Sequence, residues 1–175
     1  MAVSHISLIP AKPDYAEEFL RWREDPTTIE YNPLRVASVE ELRVRLSKSG
    51  VDLSDLESTK EFLWFVAEGK SLVGQVSIQN VNAAMLTAEV AFTVAPEARS
   101  RGIASAAVLA LTDLVFKAST IRRLTALVHD GNIASKQVLT KVGYKQEGLL
   151  REHFLVNGKP TDEAYFAILK AEFQP

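Results

Sequence analysis

Between Ala88 and Phe116 the chain runs strand, basic turn and long apolar helix in direct succession, and this order constrains the fold more than any other feature. Glu89-Val90-Ala91-Phe92-Thr93-Val94 carries the β-branched and aromatic residues that suit a pleated surface, and Pro96 ends further pairing by removing a backbone donor. Ile103 to Phe116 is almost wholly apolar and free of Gly and Pro, long enough for a helix rather than a strand, with Asp113 on its wet face. Between them lies Arg99-Ser100-Arg101-Gly102-Ile103-Ala104, where Gly102 permits a sharp turn and Ala104 keeps the helix start open.

A helix leaves its first four N–H groups without intrahelical partners, and its dipole adds about half a positive charge there, so a strand-to-helix turn of this kind suits a phosphate. Arg99 and Arg101 add full charges to it.

The 175 residues, 47% of them hydrophobic, fit a single globular domain over 1–175 with a sizeable core. A net charge of −2 argues against a surface built for nucleic acid, although a local basic patch at Arg99 and Arg101 is compatible with it. The chain has no cysteine, so disulfides, thiolate metal sites and cysteine nucleophiles are excluded. His5, His129 and His153 are scattered without metal-ligand spacing, and no metal is expected. The N-terminal stretch lacks a basic segment followed by a long apolar run, and the Ile103 to Phe116 run is too short to span a bilayer, so a cytoplasmic protein without membrane contact is expected.

Patterning along the chain predicts a strand from Val3 to Ile9, closed by Pro10 and Pro13, and a helix from Asp14 that stops at Asp25-Pro26. Ser38-Val39-Glu40-Glu41 has capping-box form and opens a helix over 39–49 that Gly50 ends. Residues 51–60 are acidic, weakly patterned and read as a loop. Strands follow at Glu61 to Ala67, Leu72 to Gln79 and Leu86 to Val94, the first two joined by a hairpin at Glu68-Gly69-Lys70. Leu124 to Val128 is a strand and Ile133 to Lys141 a helix. Tyr144 to Leu155 and Ala164 to Leu169 are strands joined across Asn157-Gly158-Lys159-Pro160. The pattern indicates an α+β fold.

Arg99-x-x-Gly102-x-Ala104 resembles the Arg/Gln-x-x-Gly-x-Gly/Ala signature of the GNAT superfamily of acetyl-CoA-dependent N-acetyltransferases. The closing stretch is similar to the RimJ/RimL-type branch, in Asn132-x-x-Ser135, Val142-Gly143-Tyr144, Glu147-Gly148, Asn157-Gly158 and Tyr165-Phe166-Ala167-Ile168-Leu169. The resemblance covers nearly the whole chain and implies a mixed, mostly antiparallel central sheet with helices on both faces. It also implies acetyl-CoA as cosubstrate, with the amides of Arg99, Ser100, Arg101, Gly102, Ile103, Ala104 and Ser105 around its pyrophosphate. Phe92, Thr93 and Val94 would offer strand-like hydrogen bonds to the pantetheine arm, Asn132 would contact that arm, cap its helix or do both, and Ser135 would either lie by the cofactor sulfur or cap the helix start. The implied activity is acetyl transfer to a primary amine by direct attack, the acceptor being a protein N-terminus, an amino acid or a small amine, and the protein a monomer or homodimer. A non-catalytic acyl-CoA-binding domain is the alternative. Dinucleotide and P-loop nucleotide binding lack their glycine patterns.

Transfer from a thioester to an amine needs a neutral nitrogen, an oxyanion stabiliser and a proton for the leaving thiolate. A protein α-amine is roughly 10 to 15% neutral at pH 7, whereas a lysine side chain is far below 1%. A weak base therefore serves a low-pKa amine best. Glu89, at the head of the strand leading to the turn, resembles the strand-four glutamate that some family members use as base. Many members place an acidic tyrosine seven residues after the asparagine, where this chain has Leu139, so Ser135 is the candidate partner of the thiolate. Trp22, Tyr31 and Trp64 are candidate walls of the acceptor pocket. Glu89, Ala91 and Thr93 alternate onto one face of their strand, the expected substrate side, and Val90, Phe92 and Val94 onto the other.

Overall fold

A computed structural model describes residues 5–32 and 38–174. Seven strands form one sheet in the order β1-β2-β3-β4-β5-β7-β6. β1 (Ile6–Pro10), β2 (Phe62–Glu68), β3 (Ser71–Asn82) and β4 (Thr87–Val94) make an antiparallel meander, as the spacing of their turns predicts. The expected first residues of β1, at Val3, lie outside the described residues. β5 (Arg123–His129) is parallel to β4 and antiparallel to β7 (Lys159–Leu169), which pairs with the edge strand β6 (Lys145–Val156). Only Asn157 and Gly158 form the β6–β7 turn, both at positive φ, so β7 begins five residues earlier than the sequence suggests. Pro160 is tolerated inside the ladder of this outer hairpin, opposite Leu155.

Helices cover both faces. On one, the ring of Phe65 in β2 is surrounded by Tyr15, Phe19 and Trp22, with ring centroids 4.9, 5.8 and 5.9 Å away. Phe19 and Trp22 lie three apart on α1 (Ala16–Arg23), the spacing that brings side chains to one side of a helix. α3 (Val39–Ser47) packs on α1 and starts with the predicted capping box: Glu41 N–H donates to Ser38 Oγ at 3.1 Å, and Ser38 N–H to the Glu41 carboxylate at 2.9 Å. The loop after it is less open than its composition suggests, because Leu53 and Leu56 are both buried in the core.

On the other face lies α4 (Ile103–Ala118), against β1, β3 and β4. Its buried residues, among them Ala107, Val108, Leu111 and Val115, recur at helical spacing. α5 (Ile133–Val142) packs on α4 and β6, and its end is fixed by Gly143 in the left-handed conformation (φ 103°). Thr112 of α4 and Tyr144, just after α5, share a buried hydrogen bond of 3.0 Å between hydroxyls. Burial pushes the Tyr144 phenol well above its ordinary pKa, so it stays neutral.

One helix escapes the sequence reading. Asp25-Pro26 reads as a stop, but Asp25 caps a further helix, α2 (Pro26–Tyr31), accepting from Thr28 N–H at 3.1 Å with Pro26 in the first turn.

Replacing Tyr144 by Phe removes one buried hydrogen bond and leaves Thr112 Oγ still donating to the Val108 carbonyl at 2.8 Å. The expected loss is about 1 kcal/mol, seen as a midpoint about 2–4 °C lower in thermal unfolding.

Candidate active site

β4 and β5 stay paired for only three residues, Thr87–Arg123, Ala88–Leu124 and Glu89–Thr125. Beyond Glu89 they part, while β4 remains paired to β3 as far as Val94–Gly74. Ala95 N–H donates to the Val73 carbonyl at 3.0 Å, so by the alternation of an antiparallel ladder Thr93 also turns its backbone groups to β3. Phe92 and Val94 then turn theirs toward the gap that β5 has left. Two of the three expected strand contacts are therefore available in the backbone, and Thr93's are committed to Gln75 of β3.

The gap leads to the start of α4. Gly102 is its N-cap, at φ 79°, with no side chain capping the helix. Ser100 is left-handed as well, at φ 61°. A Cβ on Gly102 would meet nothing within 4 Å, so its backbone angle, and not crowding, is what calls for glycine. The first intrahelical bond here runs from Ala106 N–H to the Gly102 carbonyl at 3.1 Å. Among the described residues nothing accepts from the amides of Gly102, Ile103, Ala104 and Ser105. Four aligned donors at the positive end of a sixteen-residue helix are an anion cradle.

The two arginines of the turn are not free charges. Arg101 makes a two-pronged pair with Glu68 at the end of β2, at 2.8 and 2.7 Å. Arg99 donates to Asp25 at 2.6 Å and to Thr28 Oγ at 3.3 Å. Their partners lie 33 and 74 residues away, which sequence spacing does not reveal. Attraction for an anion thus rests chiefly on the amides. Burial acts to raise the Asp25 pKa, but the Arg99 guanidinium and the Thr28 amide outweigh it and hold the carboxyl below its usual range.

On the β5 side, Asn132 caps α5, its side-chain oxygen accepting from Ser135 N–H at 3.1 Å. Of the two residues whose type suits a cap at this helix start, Asn132 and Ser135, the asparagine takes the role. Among the described residues the Ser135 hydroxyl has no partner, and it is half-buried at the helix start. Leu139 is wholly buried, so its position offers only packing. His129 Nδ1 accepts from Gly131 N–H at 3.1 Å, which occupies the lone pair of that nitrogen. Tyr31, at the end of α2, packs edge-on to His129 with ring centroids 5.4 Å apart. α2 therefore bridges the opening, held through Arg99 beyond β4 and through His129 at the end of β5. Of the other two aromatics suggested as pocket walls, Trp22 is enclosed beside Phe65, and Trp64 stacks on Phe62 at 6.3 Å within the core.

Glu89 sits where the strands part. Its Oε1 accepts from Gln79 Nε2 at 2.8 Å and its Oε2 from Asn80 Nδ2 at 3.2 Å. Its face of the sheet carries Ala91 and Thr93, paired across with Ser77 and Gln75, two polar residues buried on a central strand. This is the face that α1 covers, since Gln75 is paired in turn with Phe65.

Because Asp25 is held ionised in the folded state, it contributes stability above its unfolded pKa of about 4, and this is lost as pH falls through the lower folded value. Asp25→Asn keeps a capping oxygen and removes the charge. Denaturant unfolding should show the variant less stable at pH 7, by no more than about 1 kcal/mol, with the difference closing below about pH 4.

A family model for the acetyltransferase (GNAT) domain matches residues 5–145. A putative ribosomal N-acetyltransferase of Bacillus subtilis, YdaF, is 31% identical over 104 residues, and the match covers 59% of this chain and 57% of that protein's length. The probable N-acetyltransferase YjcK of the same organism is 28% identical over 173 residues, 98% of this chain and 90% of that one. Mycobacterium smegmatis RimJ, solved in complex with CoA-disulfide, shares the fold with a TM-score of 0.82 at 26% identity, over 97% of this chain and 84% of that one. The spermidine N-acetyltransferase of Vibrio cholerae, solved with CoA and spermine, has a TM-score of 0.85 at 21% identity, over 97% and 98% of the two chains. At that identity the likeness speaks for the fold alone. With most of its length matched by the family model, and with the opened strand pair and uncapped helix in place, the chain belongs to the GNAT acetyltransferase family.

Proposed function

We propose that the protein is an acetyl-CoA-dependent N-acetyltransferase that moves an acetyl group to a primary amine by direct attack in a ternary complex. The observation that carries this reading is the parting of β4 and β5 beside the unpartnered amides of α4. The two features fit the two halves of the cofactor: a strand edge with free donors and acceptors for an amide-bearing arm, and an amide cradle for a pyrophosphate. Gly102, Ile103, Ala104 and Ser105 would hold the phosphates, framed by Arg99, Ser100 and Arg101, and the backbone of Phe92 and Val94 the arm, beside Thr93. When bound, acetyl-CoA supplies the activated acyl group as a thioester.

The chain's own residues do the rest. Glu89, on the face of β4 away from α4, takes the proton of the incoming ammonium, directly or through a water molecule. Ser135 donates a hydrogen bond to the departing sulfur, with its helix start fixed by Asn132. Tyr144, past the end of α5 opposite to Ser135, is unsuited to that role, because its hydroxyl is buried against Thr112. The acceptor enters on the side closed by α1 and α2. A protein N-terminus meets the need for a low-pKa nitrogen better than a lysine side chain does, by about 2.5 pKa units, and an amino acid and a small amine are the other acceptor classes. YdaF and the Vibrio enzyme are named for a ribosomal and a polyamine acceptor respectively, and both classes belong in an acceptor panel. The buried Leu139 favours a second reading, a domain that binds acyl-CoA without turnover, and the same panel separates the two.

Thermal unfolding with acetyl-CoA, desulfo-CoA and ATP tests the cofactor. At 100 times its dissociation constant a ligand adds about 2.7 kcal/mol, so both CoA compounds should raise the midpoint by roughly 5–10 °C and ATP should not. No shift with either CoA compound would sink the assignment. Turnover is then measured with a peptide α-amine, a free amino acid and spermidine. Glu89→Gln should lower kcat about 100-fold or more while leaving acetyl-CoA binding unchanged; equal turnover would remove Glu89 as the base.

A further inference from the structure

Consecutive residues of a regular strand point to opposite faces, so Gln79 and Asn80 should not both reach one partner. They do, because the β3–β4 ladder is irregular there. Gln79 pairs with Glu89, and the register resumes at Asn82–Thr87, so Asn80 and Val81 on β3 face the single residue Ala88 on β4. The extra residue makes a bulge. Asn80 takes a left-handed backbone conformation, φ 52°, which asparagine tolerates better than most residues. Val81 is turned into the core, and its N–H donates to the Lys60 carbonyl at 3.4 Å. The side chain of Asn80 thereby swings round to the oxygen of Glu89 that Gln79 does not hold.

The chemistry of the donors matters as much as their position. Asp25, Glu68 and Glu147 are each tied to an arginine, at 2.6, 2.7 and 2.5 Å. Glu89 is held instead by two neutral amides, which fix its orientation without cancelling its charge or supplying a proton. A carboxylate oxygen has lone pairs to spare after one hydrogen bond, so each can still accept.

From this geometry we propose that Gln79 and Asn80 are positioning residues, a bulge-built clamp that aims the Glu89 carboxylate at the acceptor nitrogen. The clamp rests on the reading of Glu89 as the base. A base on a long, flexible side chain gains rate from being held where the proton will be, and this one sits at the last paired residue before the strands part.

Asn80→Gly tests it cleanly, since glycine accepts the same backbone angle and removes only the donor. Steady-state kinetics are measured with the best acceptor among a peptide α-amine, a free amino acid and spermidine. The substitution should lower kcat about ten-fold with the acetyl-CoA KM unchanged, and in a Glu89→Gln background it should change kcat less than about two-fold. Asn80→Asp, which also tolerates the angle but sets a like charge beside Glu89, should cost more than Asn80→Gly. A crystal structure of Asn80→Gly should show the Glu89 side chain in more than one rotamer. Wild-type kcat in Asn80→Gly, an equal fall in both backgrounds, or a single unchanged Glu89 rotamer would each overturn the clamp. If Asn80→Gly fails to fold, Gln79→Met carries the same comparison from the other oxygen. Should Glu89→Gln alone keep full turnover, it is the base assignment that has failed, and the clamp falls with it.

Discussion

The parting of β4 from β5 is the constraint to which the rest of the molecule answers. Ending a parallel ladder in mid-sheet leaves backbone donors and acceptors unpaired, and such groups are costly to bury without partners. The structure surrounds the opening with features that make it tolerable. β3 continues to hold β4 from the other side, and α4 covers the apolar face. β7 pairs β5 along its whole length, so the second arm keeps its form without the first. The opening is thus framed by rigid elements, and the groups it exposes are presented in a fixed order.

Charge around the opening is arranged by the same economy. The basic turn carries two arginines, but each has a carboxylate partner of its own, so the field at the helix start comes from oriented amides and the helix dipole. Amides cannot be neutralised by a neighbouring acid and bring no flexible side chain to be ordered. The carboxylate at the apex follows a complementary logic, being fixed by donors without charge.

Much of this was legible in the sequence, and the limits have physical causes. Strand and helix periodicity, the capping box at Ser38, the sharp turn at Gly102 and the Asn157-Gly158 turn are local signals that act within a few residues, and they place most elements, although β7 starts five residues before the stretch that the pattern marks. α2 is not legible in the sequence because Asp-Pro serves equally as a stop and as a start, and Thr27, Thr28 and Ile29 are weak helix formers whose helix is held by tertiary contacts. Leu53 and Leu56 are both core, yet two leucines three apart in an acidic stretch show no sustained period that marks them as such. The partners of Arg99, Arg101 and Glu89 depend on register and on distant chain, and a bulge of one residue is invisible to composition. The capping role of Asn132 and the burial of Leu139 needed the helix to be placed before they could be assigned.

α2 has six residues and spans about 9 Å, too short to persist in water on its own. It exists because one end is tied to the chain beyond β4 and the other rests on the last residue of β5. A strut fastened to both jaws of an opening measures the distance between them. Widening the cleft must either break the Arg99–Asp25 pair or separate Tyr31 from His129, so the helicity of this one turn and a half is coupled to how far the jaws stand apart.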